Sequence, residues 1–226
     1  MTKRDLSLKP RIEDIRDKHP AVVVSFSLED IKGHFESNLI SIRNQFEVAQ
    51  NLLDAGKVNE QKYIFRSQIV FLESAFDFYL HELNKYGLSQ IYSGKWEKTE
   101  KYNNFKIPMK QLEKGLASPE TSEWFSTYIS EVYSRDSFTS YVAANDLMNT
   151  IGLNLKELLK DAFPGSTNPL VPKRDAKKVI QALYSRRNQI AHQTDRAHSD
   201  ASQADISPLR PVKEALDFSS ASFLFP

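Results

Sequence analysis

Two long runs of helical spacing, residues 28–56 and about 60–86, do most to narrow what this chain can become. In the first, Leu28, Ile31, Phe35, Leu39, Ile42, Phe46 and Ala49 recur every three or four residues, so they fall on one face of a helix. Ser27, with Asp30 three residues on, supplies the hydroxyl and carboxylate of a capping box, and Gly56 supplies a stop. The second run extends from about Glu60 to Tyr86, with Gly87 as its end signal. Phe65, Ile69, Leu72, Phe76, Leu80 and Leu83 share one stripe, while Val70, Phe71, Phe78 and Tyr79 lie on other sides. A helix apolar on most sides belongs in the centre of its bundle. The expected fold is therefore all-α, built on two long antiparallel helices.

The remainder reads less regularly. Residues 1–27 form an N-terminal arm, in which residues 21–26 (AVVVSF) resemble a short extended piece with no partner strand. Residues 28–226 read as one helical domain with a broken helical insertion at about 88–137. Within it Ser118-Pro119-Glu120 opens a helix through Trp124, Tyr128 and Val132. Further helices are expected over about Phe138–Thr150 and from Asn154 through Leu159, then a loop at 163–172. A polar stretch after residue 195 leads to a last helix at about Pro211–Ser220. Trp96, Tyr102, Trp124, Tyr128, Tyr133 and Tyr141, interleaved with Lys95, Lys98, Lys101 and Lys106, can be core packing or a surface that stacks bases.

Composition bounds the possible partners. A 40% hydrophobic and 26% charged chain is of the soluble globular class. A net charge of +1 leaves a nucleic-acid surface to a local patch rather than to an overall basic coat. With no cysteine there are no disulfides and no thiolate metal sites, and a reducing cytoplasm is the simplest setting. No apolar run approaches the ~18 residues of a membrane span, and the start (MTKRDLSLKPR) has no apolar signal core.

Chemistry concentrates in residues 176–195, AKKVIQALYSRRNQIAHQTD. Val179, Ile180, Leu183, Tyr184, Ile190 and Ala191 gather on one face of a helix, and Arg187 falls inside that stripe. A guanidinium beside a core face keeps its charge, so it needs a partner or an anionic ligand. Asn188 and His192, four apart, share the neighbouring face. Glu73 is either a solvated flank residue or the carboxylate that holds Arg187; both readings stand at this point.

Arg187-Asn188-Gln189-Ile190-Ala191-His192 resembles the R-x(4–6)-H motif, in its R-N-x-x-x-H form, of HEPN (higher eukaryotes and prokaryotes nucleotide-binding) domains. The element order and the aromatic second helix (FLESAFDFYLHEL) look like the RiboL-PSP-type branch, over roughly residues 28–86 and 138–195. The resemblance implies a HEPN-like bundle with a late motif helix. It implies a homodimer whose composite site holds two copies of Arg187 and His192, with Asn188 orienting the phosphate or the imidazole. Glu73, Arg186 and Asp195 would be supporting residues. The implied activity is metal-independent endoribonuclease cleavage, with no cofactor, by a cytoplasmic toxin or defence effector. Its partners would be RNA and an antitoxin or defence protein, with no membrane.

Other chemistries fit poorly. His192 and His198 are six apart without metal-ligand companions, and no phosphate-cradling glycine loop occurs. Ser185 has no acid at known geometry, and His19, His34 and His81 read as structural. Three alternatives to the enzyme remain: a non-catalytic HEPN-like RNA- or nucleotide-binding module, a regulatory subunit of a toxin–antitoxin or defence complex, and a helical scaffold.

Overall fold

The structure, a computed structural model, describes residues 25–117, 121–162 and 175–193. Among the described residues the architecture is all-α: eight helices and no strand. The first two are α1 (Leu28–Asp54) and α2 (Val58–Tyr92). Ser27 accepts from the Asp30 N–H at 3.1 Å, and the Asp30 carboxylate returns to the Ser27 N–H at 3.2 Å. The capping box expected from sequence is thus formed in full. At the other end Gly56 turns the chain with φ +71°, and the Lys57 N–H reaches the Leu52 carbonyl at 2.8 Å.

The two helices pack along their length. Phe46 meets Phe65, the Gln68 amide donates to the Ile42 carbonyl, and Phe35 meets Tyr79 at 4.9 Å between ring centres. Those pairings run in opposite order on the two helices, which makes the pair antiparallel. Ile31, Phe35, Leu39 and Ile42 of α1 are buried against Ile69, Leu72, Tyr79, Leu80 and Leu83 of α2. Full burial of each aliphatic side chain is worth roughly 1.5–3 kcal/mol relative to exposure. Burial also holds the Tyr79 phenol well above the usual tyrosine range.

Two expectations for α2 are corrected. The helix does not end at Gly87 but continues to Tyr92, so the first five residues assigned to the insertion belong to it. Gly87 is there for contact: a Cβ would stand 2.7 Å from Ile151 Cγ2. The missing side chain admits another element and does not terminate the helix. Nor is α2 surrounded. Phe71 is 52% exposed and Phe78 43% exposed, so among the described residues one face of this central helix is not covered.

The next helices are α3 (Glu100–Asn103), α4 (Met109–Ala117), α5 (Glu123–Tyr133), α6 (Tyr141–Thr150) and α7 (Leu155–Ala162). Helix α6 starts three residues later than its pattern suggests. The Phe138 N–H donates to the Asp77 carboxylate at 2.6 Å, and Ser140, in extended conformation, caps the helix through the Ala143 N–H. Helix α5 begins at Glu123, and its expected Ser118-Pro119-Glu120 opening lies outside the described residues. So do the arm through residue 24, the loop at 163–172, Asp195, His198 and the expected last helix. Asn154 caps α7 by accepting from the Glu157 N–H.

Candidate functional site

Helix α8 (Ala176–Gln193) carries the motif. It packs on α2 and α6 through Ala176, Ile180, Leu183 and Ile190, with Ile180 buried and the others partly buried. Arg187 follows Leu183 by four residues and precedes Ile190 by three, so it stands in that same inward column. It is half-buried, as is Asn188, whereas Ala191, expected on the apolar face, is exposed near the helix end.

Opposite Arg187 lies Glu73 of α2, which is 3% exposed. Of the two sequence readings of Glu73, the solvated flank is therefore wrong. Burial raises its carboxyl pKa to about 7, against the lowering effects of the Thr139 hydroxyl hydrogen bond and the Arg187 charge; Asp77, one turn on, adds a further upward push. Glu73 Oε2 has no hydrogen-bond partner. The pair is consequently not a closed ion pair: the guanidinium acts on the carboxyl through its field, and burial still dominates.

The Arg187 Nη1 group donates to the Asn188 side-chain oxygen at 2.9 Å. A guanidinium offers five N–H donors in a planar fork, so this bond fixes the head while leaving donors for an anion. Arg186 donates to Gln189 at 3.4 Å and is held at the flank of the helix. His192 is exposed in the last turn of α8, one turn beyond Asn188. The fold thus joins Arg187 to Asn188 and sets it over Glu73, and it leaves His192 on the surface of the single chain. Asp195 lies outside the described residues.

A second polar group escaped the sequence reading. His81, taken there as a lone histidine, has Nε2 3.9 Å from Asp77 and 3.2 Å from the Asp136 carbonyl, with its ring 4.7 Å from that of Phe138. The Ser137 hydroxyl donates to Asp77 at 3.4 Å. Serine, histidine and carboxylate meet here, yet the histidine nitrogen faces a carbonyl and the serine is bound by the acid. That is not the order a nucleophile needs. Asp77 instead ties the segment before α6 to α2, and the i, i+4 spacing of Asp77 and His81 was the available sequence signal.

The rings of this aromatic region pack on one another, on α2 and on the segment before α6. Tyr92 stacks on Phe125 at 4.6 Å, Trp96 meets Tyr86, and Tyr133 meets Phe138. Lys101 is paired with Asp146. A cleft of about 500 Å³ between Lys101, Phe105, Lys106, Tyr128 and Tyr133 contains no motif residue. Among the described residues no group of three or more His, Asp or Glu side chains has the arrangement of a metal site. No helix there is long and apolar enough to cross a membrane. No protein-family model, curated protein or solved structure matches the chain.

Proposed function

We propose that this chain is an endoribonuclease in which Arg187 and His192, from two copies of α8, act on one phosphodiester. The observation that carries the reading is the placement of Arg187: half-buried in the inward column of α8 above a buried carboxyl, braced by Asn188, with donors left over. A surface arginine has no need of such a setting. The R-N-x-x-x-H resemblance supplies the reaction class. In it the ribose 2′-oxygen attacks the adjacent phosphorus, the P–O5′ bond breaks, and the products carry a 2′,3′-cyclic phosphate and a 5′-OH.

Arg187 balances the charge that builds on the phosphoryl oxygens. His192, exposed and supplied by the second copy, moves a proton from the 2′-OH or to the leaving O5′. Asn188 steadies the guanidinium. DNA lacks the nucleophile and is not cut. One feature favours a second reading. His192 sits in the last turn on the outer side while Arg187 faces inward, so a single chain does not converge both on one phosphate. If copies do not associate, the same arginine makes an RNA- or nucleotide-binding module without cleavage, and a regulatory role in a defence or toxin–antitoxin complex follows more naturally.

Single-turnover cleavage set beside binding titrations is the test. RNA is expected to be cut in excess EDTA to cyclic-phosphate ends, and a 2′-deoxy residue at the scissile position is expected to block the cut. His192→Ala lowers the rate by roughly 10²–10⁴, the range for a lost general acid or base, with affinity near wild type. A His192→Ala protein that cuts as fast as wild type ends the ribonuclease reading.

A further inference from the structure

Helix α8 gathers charge that the rest of the chain does not. Its 18 residues include Lys177, Lys178, Arg186 and Arg187 and no carboxylate, in a chain whose net charge is +1. At the start of α8, Lys177 lines a groove of about 420 Å³ together with Tyr141 and with Lys156, Leu159 and Lys160 of α7. Lys160 is tied to Glu157, and Lys178 lies 4.0 Å from Asp175. Among the described residues Lys177 has no carboxylate partner, and its ammonium rests 5.3 Å from the centre of the Tyr141 ring. Tyr184, expected on the apolar face, does not pack against the core as Leu183 and Ile190 do. It is half-buried, and among the described residues its ring meets no other ring.

At 100° per residue, Lys177, Gln181, Tyr184 and Asn188 fall within roughly 60° of one another, on a flank of α8 turned away from Ile180, Leu183 and Ile190. At 1.5 Å per residue that stripe is about 17 Å long. Arg187 joins it at one end, because the bond to the Asn188 oxygen bends the guanidinium toward the same flank. We infer that this stripe is a track for single-stranded RNA. Tyr184 stacks the base next to the phosphate held at Arg187, and the lysines at the other end take the backbone. Every base has a π-face whatever its identity, so an aromatic ring standing off the core between cations suits a strand whose bases are splayed out. Gln181, exposed three residues before Tyr184, offers an amide donor and acceptor to a base edge. A duplex keeps its bases stacked on one another and gives Tyr184 nothing to hold.

Charge decides the occupant. Two such flanks laid directly on each other would set cation against cation, at a cost that a polyanion between them removes. A bare second copy is therefore a poor occupant and an RNA strand a good one, whether one copy or two hold it. The position of the phosphate at Arg187 rests on the function proposed above; the track itself stands on the charge of α8 and the placement of Tyr184.

The test is fluorescence anisotropy with a short, unstructured 2′-O-methyl RNA, which lacks the nucleophile and cannot be cut, set beside its duplex. Tyr184→Leu keeps apolar bulk and helix propensity but no ring. It is expected to weaken single-strand binding about tenfold, within the range for one base stacked on an aromatic ring, and to leave duplex binding unchanged. Tyr184→Phe should bind like the wild type, and so should Tyr63→Ala, which removes a 65% exposed ring from α2. Lys177→Gln should weaken binding and make its salt dependence about one phosphate contact shallower. If Tyr184→Leu loses helix content, a strand with abasic sites decides in its place: the wild type should hold it about tenfold more weakly than the intact strand, and equal binding overturns the track. A folded Tyr184→Leu that holds the single strand as tightly as the wild type overturns it too, as does an equal loss on strand and duplex. So does a Tyr184→Leu whose self-association weakens in sedimentation velocity while its RNA affinity stays, which gives the flank to a second copy. Tyr184-dependent binding without cleavage of the unmodified RNA upholds the track and sinks the ribonuclease reading. Cleavage at subsaturating RNA that Tyr184→Leu leaves unchanged does the reverse.

Discussion

Replacing Glu73 by Gln tests whether the carboxyl beneath Arg187 is as desolvated as its burial implies. The folded-state pKa stands at about 7 against an ordinary value of 4.5. A folded state that holds the proton more tightly is stabilised where that proton is bound. The contribution is fully present below pH 4.5 and is lost as pH rises through 7. At ~1.4 kcal/mol per tenfold change in proton affinity, the loss is about 3 kcal/mol, most of it between pH 5 and 8. Glutamine keeps the shape and cannot ionise. The expected outcome is that the wild type weakens relative to Glu73→Gln by about that amount from pH 5 to 8, the variant being favoured at the alkaline end. Urea unfolding followed by circular dichroism at each pH measures it. Parallel stability curves for the two proteins would show that Glu73 is hydrated or fully paired, and the description of the site would be wrong.

Arg187→Ala should raise the Glu73 pKa further, because it removes one of the two effects that lower it. A carboxylate-resolved NMR titration reads that directly, and RNA binding should weaken with a salt dependence about one phosphate contact shallower. Gly87→Ala should destabilise by roughly 1–3 kcal/mol, the usual cost of overpacking, since the new Cβ meets Ile151 at 2.7 Å. The paired change with Ile151→Val, which removes only Cδ1 and leaves Cβ and Cγ2 at 2.8 and 2.7 Å, should not recover that loss in a thermal melt.

What residues decide within a few positions of themselves was readable from sequence. The Ser27–Asp30 cap, the Gly56 turn and the Asn154 start each rest on hydrogen bonds or dihedral angles spanning at most five residues, and each stands where the pattern put it. The inward register of Arg187 was readable for the same reason, since helical period alone fixes which column a residue occupies. Other features depended on what arrives from far along the chain. Gly87 carries the same local signal whether it stops a helix or admits a neighbour, and Ile151, 64 residues later, decided for the neighbour. Glu73 sits at the margin of its stripe, and only the approach of Thr139 and α8 made it a buried acid. The Asp77 bond to the Phe138 N–H delayed the start of α6, which no helical period could register. Phe71 and Phe78 reverse the case. Their side chains announce burial, but the packing of the described helices leaves that face of α2 open, and helical period alone cannot tell an exposed apolar stripe from a core one.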